Sequence, residues 1–212
     1  MFYLTQTLLS SWQHFLDSDD AYAEDALASF IQTLKREPKG TTPAMQAGID
    51  FESAINAVVA GDTVDIKNEK EARAIRRFSR LCAGGQPQVP VTGHITAAGL
   101  EIHLYGVCDY VKAGTIYDIK RVQRYEYGKY FHSPQHPMYL HLVPGAAKFS
   151  YLIFNGTDTF IETYRRGDFT PIEETIAKFI NWLRENGYMS LYEEHWNMNA
   201  ERMGKNTWDL SL

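Results

Sequence analysis

The sequence predicts a mixed α/β domain, and three observations predict it. Apolar residues recur at helical spacing through the first third of the chain. The pattern changes to strand-like alternation after Gly84-Gly85. Three predicted strands are then followed by a short helix, two further strands and a last helix.

Each element has its own local reason. "LTQTLLSSWQHFLD" spaces Leu8, Leu9, Trp12, Phe15 and Leu16 along one helical stripe, and "AEDALASFIQTLKRE" does the same with Leu27, Phe30, Ile31 and Leu34 before Pro38 stops it. "TPAMQAGIDFESAINAVVAG" opens with Thr42 as cap and Pro43 in the first turn, and ends at Gly61. "NEKEARAIRRFSRLCAGG" sets Ala72, Ile75, Phe78 and Leu81 against a charged face. "VPVTGHITAAG", "EIHLYGVCDYV" and "TIYDIKRV" alternate as strands, "PQHPMYLHLV" is a short helix halted by Pro144-Gly145, and "KFSYLIFNG" with "TFIETYRR" forms a hairpin around Gly156-Thr157. "PIEETIAKFINWLRENG" is the last long helix, with Pro171 at its start and Gly187 at its end; a short helix and loose residues follow. A single domain over 1–212 is expected, with a mainly helical part over 1–85, a sheet-containing core over 86–187 and a C-terminal tail over 188–212.

The composition is 44% hydrophobic, 22% charged and 13% aromatic, which is that of a globular protein and not of a disordered one. The net charge of −5 excludes a generic polyanion binder, so any nucleic-acid contact needs a local basic surface or metal ions. The two cysteines, Cys82 and Cys108, form no paired motif, which excludes a four-cysteine zinc or iron–sulfur site and fits a reducing compartment. The N-terminus reads as no signal peptide and no apolar run approaches a membrane span, so the expectation is a cytoplasmic protein without a membrane partner. No Walker-type glycine loop is present.

The segment "GVCDYVKAGTIYDIK", residues 106–120, carries the chemistry. A two-residue turn at Ala113-Gly114 makes residue numbers of cross-strand partners sum to 227. Asp109 is then opposite Asp118, with Lys120 two residues along the same face among Val107, Val111 and Ile116; a three-residue turn would separate the acids. Like charges so placed repel, and a hard divalent cation between them turns repulsion into binding. The adjacent lysine can orient or deprotonate a water, or offset charge developing on a phosphate.

Three motifs in series, "GVCDYV", "YDIK" and "QHPMY", resemble those of the PD-(D/E)XK nuclease superfamily in its RecB-like exonuclease branch: Gly106 with Asp109, Asp118 with Lys120, and Gln135 with Tyr139. The resemblance covers roughly residues 100 to 165 and implies a restriction-endonuclease-like α/β core. It further implies a metal-dependent deoxyribonuclease, an exonuclease of recombination or repair, in an arrangement similar to the phage type. Asp109 and Asp118 would then hold one or two Mg²⁺ or Mn²⁺ ions, with the Ile119 carbonyl and an acid from the upstream helix "AGIDFESAI". That acid is Glu52, with Asp50 as the competing choice. Lys120 would position the attacking water, and Gln135 and Tyr139 would hold the DNA backbone or the lysine. The cysteine-held iron–sulfur cluster of some relatives is excluded by the cysteine count.

"IKRVQRYEYGKYFH" interleaves Arg121, Arg124 and Lys129 with Tyr125, Tyr127, Tyr130 and Phe131, a pattern suited to DNA phosphates and stacked bases. "RAIRRFSR" is a second basic strip that also reads as a solvated helix face. His132, His136 and His141 lack a completing cysteine or acid and read as surface or hydrogen-bonded histidines. DNA is the expected partner, with a homo-oligomer and a recombination or helicase protein as further ones. A non-catalytic DNA-binding or scaffold protein and a restriction-type endonuclease are the alternatives.

Overall fold

The computed structural model describes residues 1–197. The chain is α/β, with a mixed central sheet flanked by helices. Among the described residues its six strands are β1 (Phe2–Thr5), β2 (Gln86–Ala97), β3 (Leu100–Lys112), β4 (Thr115–Arg121), β5 (Lys148–Phe154) and β6 (Thr159–Arg165). The α-helices are α1 (Gln6–Leu16), α2 (Ala23–Leu34), α3 (Pro43–Ala60), α4 (Glu69–Cys82), α5 (Gln135–Leu142), α6 (Ile172–Glu185) and α7 (Met189–Trp196). These elements form two compact units, interleaved in sequence: residues 1–38, 92–106 and 171 onward make the first, and 39–91 with 107–170 the second.

The first unit holds β1, α1, α2, α6 and α7. β1 pairs in parallel with β3, from Phe2 opposite Ile102 to Thr5 opposite Tyr105. This strand is absent from the sequence reading, which runs the first helix from Leu4. Four residues are too few for a period, and the partner strand is a hundred positions away. Thr5 ends the strand and caps α1, its hydroxyl accepting from the Leu8 N–H. The unit is tied by aromatic contacts: Phe179 meets Trp12, Phe30 and Tyr192 edge-on. The Trp196 indole donates to the Leu34 carbonyl at 2.7 Å, and the Tyr192 hydroxyl to that of Tyr3 at 2.9 Å. Of the expected tail, α7 supplies the short helix, and residues 198–212 lie outside the described part.

The second unit contains the candidate site. β3 and β4 are antiparallel, β4 and β5 parallel, β5 and β6 antiparallel. The parallel pair requires a crossover, and the chain from Val122 through α5 to Ala147 supplies it. One core cluster gathers Phe51, Ile55, Ile75, Phe78 and Cys82 of α3 and α4 with Tyr110, Ile119, Leu152 and Phe154. The other gathers Cys108, Ile116, Tyr139, Leu140, Phe149, Tyr151 and Tyr164. α3 is bounded as its sequence predicts, the Thr42 hydroxyl accepting from Met45 N–H and Gly61 closing it at φ 97°. At the junction of α4 with β2, a Cβ on Gly85 would stand 2.9 Å from the Cys82 carbonyl and 3.0 Å from Lys112 Cβ, so the close approach requires glycine.

Candidate active site

The β3–β4 turn is the two-residue one, with φ of 46° at Ala113 and 72° at Gly114, the double positive φ of a type I′ hairpin. The pairs Lys112–Thr115, Val111–Ile116 and Tyr110–Tyr117 follow the register that sums to 227. Beyond Tyr110–Tyr117 the ladder gives way. A regular hairpin would next hydrogen-bond Cys108 with Ile119. The Ile119 N–H donates instead to Asp109 Oδ2, at 2.7 Å. Cys108 and Tyr110 moreover belong to different core clusters, although alternate residues of a regular strand share a face. The strand therefore turns over at Asp109, an irregularity of the bulge kind that re-aims a side chain. The direct Asp109–Asp118 ladder pair of the sequence reading is corrected accordingly: the carboxyls interact, but across a local break in the ladder.

Asp118 is buried, 4% exposed. Gln135 Nε2 donates to its Oδ1 from the first turn of α5. Lys120 Nζ lies 2.7 Å from its Oδ2. That oxygen is shut away from solvent and is satisfied by the lysine ammonium, so a divalent cation at Asp118 would have to share it with Lys120 or displace the lysine. Glu52, from α3, is held by Gln88 Nε2 on its Oε1 at 2.5 Å. Asp50 is exposed and bonded to Gln46 at 2.7 Å. Glu52, not Asp50, is the helix acid whose field couples to Asp118.

The electrostatics follow from burial. Asp109 is pushed well above the usual carboxylate range by desolvation, then by Asp118 and Glu52. Desolvation raises Asp118, opposed by Lys120. Glu52 is raised by desolvation and by Asp118. For Lys120 desolvation is the largest influence and acts downward, but Asp118 and Asp109 together outweigh it, and its pKa is raised. Lys120 is thus a resident cation, suited to orienting a water and not to deprotonating one. Burial and the Asp109 field push both Cys82 and Cys108 up to about 12, which leaves neither as a nucleophile.

The third motif divides its labour. α5 starts at Gln135, with Pro134 as the flanking residue and not the first helical one, and Ser133 Oγ accepts from the Gln135 N–H at 3.3 Å. Gln135 reaches Asp118, whereas the Tyr139 hydroxyl donates to the Val107 carbonyl at 2.7 Å and accepts its N–H at 3.2 Å. Tyr139 therefore steadies β3 two residues before Asp109. Ile119 enters the site through its N–H, which donates to Asp109 Oδ2.

The basic loop is more ordered than its composition suggests. Arg121 is ion-paired with Glu71 at 3.0 Å, and the Tyr125 hydroxyl donates to Glu162 at 2.5 Å, so neither is free to meet a ligand without first letting go. Arg124 and Lys129 are exposed, as are Tyr127 and Phe131. Sequence reasoning missed Glu162, a buried acid that also receives the Tyr164 hydroxyl and the Tyr130 N–H. The ring of Tyr130 stacks on Tyr151 at 4.4 Å, beside Lys120. Gln88 was missed as well, because no local pattern connects a β2 amide with an α3 acid. Of the three histidines, His136 is fully buried, with Nδ1 3.1 Å from the Tyr151 hydroxyl.

The donor chemistry, carboxylate oxygens of Asp109, Asp118 and Glu52, is of the kind a hard cation takes. Among the described residues no group of three or more His, Cys, Asp or Glu is placed so that it could hold a metal ion. Mg²⁺ does not require one, since it is commonly held by one or two carboxylates together with substrate phosphate and water.

No protein-family model matches this chain, and no curated protein matches it. The chain is similar to the solved structure of SSO0001 at 15% sequence identity and a TM-score of 0.48, over 97% of this chain and 77% of that one. A likeness at that score carries no argument about function. Among the described residues no helix is long and apolar enough to cross a membrane.

Proposed function

We propose that the chain is a Mg²⁺- or Mn²⁺-dependent deoxyribonuclease with a restriction-endonuclease-like core, acting as an exonuclease on DNA ends. The observation that supports it best is the gathering of three acids, Asp109, Asp118 and Glu52, in the field of Lys120, whose Nζ lies 2.7 Å from Asp118 Oδ2. Asp109 and Asp118 would hold the cation, with Glu52 released from Gln88 and the Ile119 carbonyl as further donors. When bound, the ion supplies Lewis-acid stabilisation of the attacking and leaving oxygens. Lys120, as an ammonium, would orient the attacking water through a hydrogen bond and offset the charge that grows on the phosphate, while the proton shed by the water passes to solvent. Gln135 fixes the Asp118 carboxylate in orientation, and Tyr139 fixes the backbone ahead of Asp109. Arg124 and Lys129 draw the phosphate backbone toward the site.

Incubation of purified protein with linear single- and double-stranded DNA and Mn²⁺ should release short products, and EDTA should stop the release. Lys120→Ala should lower the rate by at least about a hundredfold, within the range that one preorganised charge contributes. Asp118→Asn should abolish both cleavage and the rise in melting temperature on adding Mg²⁺. Intact linear DNA in every condition would sink the enzyme reading. Cleavage of covalently closed circles would replace the exonuclease with an endonuclease.

A further inference from the structure

In the first unit, β2 and β3 are joined by a second two-residue turn, Ala98-Gly99, with φ of 48° and 77°. As at Ala113-Gly114, that turn fixes the register: partner numbers sum to 197, so Thr96 faces Glu101 and His94 faces His103. The side chains agree. Thr96 Oγ1 donates to Glu101 Oε1 at 2.6 Å, and His103 Nδ1 stands 3.3 Å from His94 Nε2. Counting outward from the turn, His94 and His103 fall on a non-hydrogen-bonded pair, where the strands bring opposite Cβ atoms closest. The Tyr3 ring stacks on His103, with centroids 5.4 Å apart, and holds its plane. The two imidazoles meet edge to face at 4.7 Å.

We propose that His94 and His103 form a bidentate site for a divalent transition-metal ion of the imidazole-preferring class, Zn²⁺ or Ni²⁺. Two imidazole nitrogens that each lie about 2.0–2.1 Å from a tetrahedral ion stand roughly 3.3–3.4 Å apart, and the observed spacing is 3.3 Å. The nitrogens are therefore already at chelating distance. The pair is held together by one shared hydrogen; when the ion takes that position, the donating ring carries its hydrogen on the other nitrogen, and both rings remain neutral ligands. His94 is exposed, so solvent reaches the site and the other coordination positions belong to water. The site is separate from the candidate active site in ligand chemistry, since nitrogen donors select Zn²⁺ and Ni²⁺ where carboxylates select Mg²⁺.

Isothermal titration of Zn²⁺, and separately Ni²⁺, into tag-free protein at pH 7.5 in excess Mg²⁺ tests it. One equivalent should bind. His94→Ala and His103→Ala should each weaken that binding by more than about tenfold. The double variant should be no weaker than either single one, because a chelate is lost with its first ligand. His103→Gln, which keeps a polar side chain of similar length, should behave as His103→Ala, and circular dichroism checks that each variant is folded. His132→Ala should bind as the wild type does. Absence of stoichiometric binding, affinity indifferent to both substitutions, or loss of binding in excess Mg²⁺ would each overturn the site.

Discussion

Asp109 shows what burial beside two other acids does to a carboxyl group. Its folded pKa lies well above the ordinary carboxylate value, first because burial disfavours the charge and then because Asp118 and Glu52 add to it. An acid raised on folding binds its proton more tightly in the native than in the unfolded chain. The resulting penalty is absent in acid, begins as pH rises past the unfolded value near about 4, and is complete above the folded value. Asp109→Asn keeps an oxygen to accept the Ile119 N–H and removes the charge. Thermal melts in EDTA should therefore show the variant more stable than wild type at pH 8, with the gain vanishing toward pH 4. A variant that melts lower than wild type at pH 8 would mean that the carboxylate is stabilised by something other than an added cation. In Mg²⁺ the order should reverse, since the wild type alone gains the ion.

At the scale of elements, the β3–β4 hairpin sets the site through its turn. Gly114 has φ 72°, and Val there would add the cost of a left-handed β-branched residue, about 1–2 kcal/mol. Gly114→Val should lower the unfolding free energy by that amount in urea titration. It should also cost more activity than stability, because a one-residue slip in register would carry Asp118 and Lys120 to the opposite face. An unchanged denaturation midpoint would show that the turn does not hold the register. The same hairpin explains what was legible beforehand. Turn chemistry is local, so Ala113-Gly114 alone brought Asp109, Asp118 and Lys120 together on paper. The break at Asp109 was not legible, because it arises where Cys108 and Tyr110 are claimed by different cores, one built on α3 and α4 and the other on α5. Nor were β1, Gln88 and the Tyr125 and Tyr130 contacts of Glu162, whose partners lie tens of positions away in sequence. α5 misled in one respect: seven of its eight residues are buried, so its sequence carries almost no periodic stripe to mark which face holds Gln135.

For the molecule as a whole, the parallel pairing of β4 with β5 has a kinetic meaning. The β3–β4 hairpin closes over a two-residue turn, an event of about 1–10 μs. The strand beside Asp118 arrives much later, since its partner is Tyr151 and the intervening chain must first cross over through α5. On that order Asp109 and Asp118 would meet while still hydrated, and their charges would lose water as β5 and the helices dock. The electrostatic obstacle then falls on the slow step of assembly and not on the fast one. Refolding in EDTA should slow as pH rises and the acids ionise, and Asp109→Asn should flatten that dependence in stopped-flow traces. Equal pH profiles for wild type and variant would place the desolvation after the rate-limiting barrier. If the proposed site binds a divalent cation, a hairpin that presents two acids before they are covered can capture that ion while folding, and the cation would serve as a template for the strand that follows.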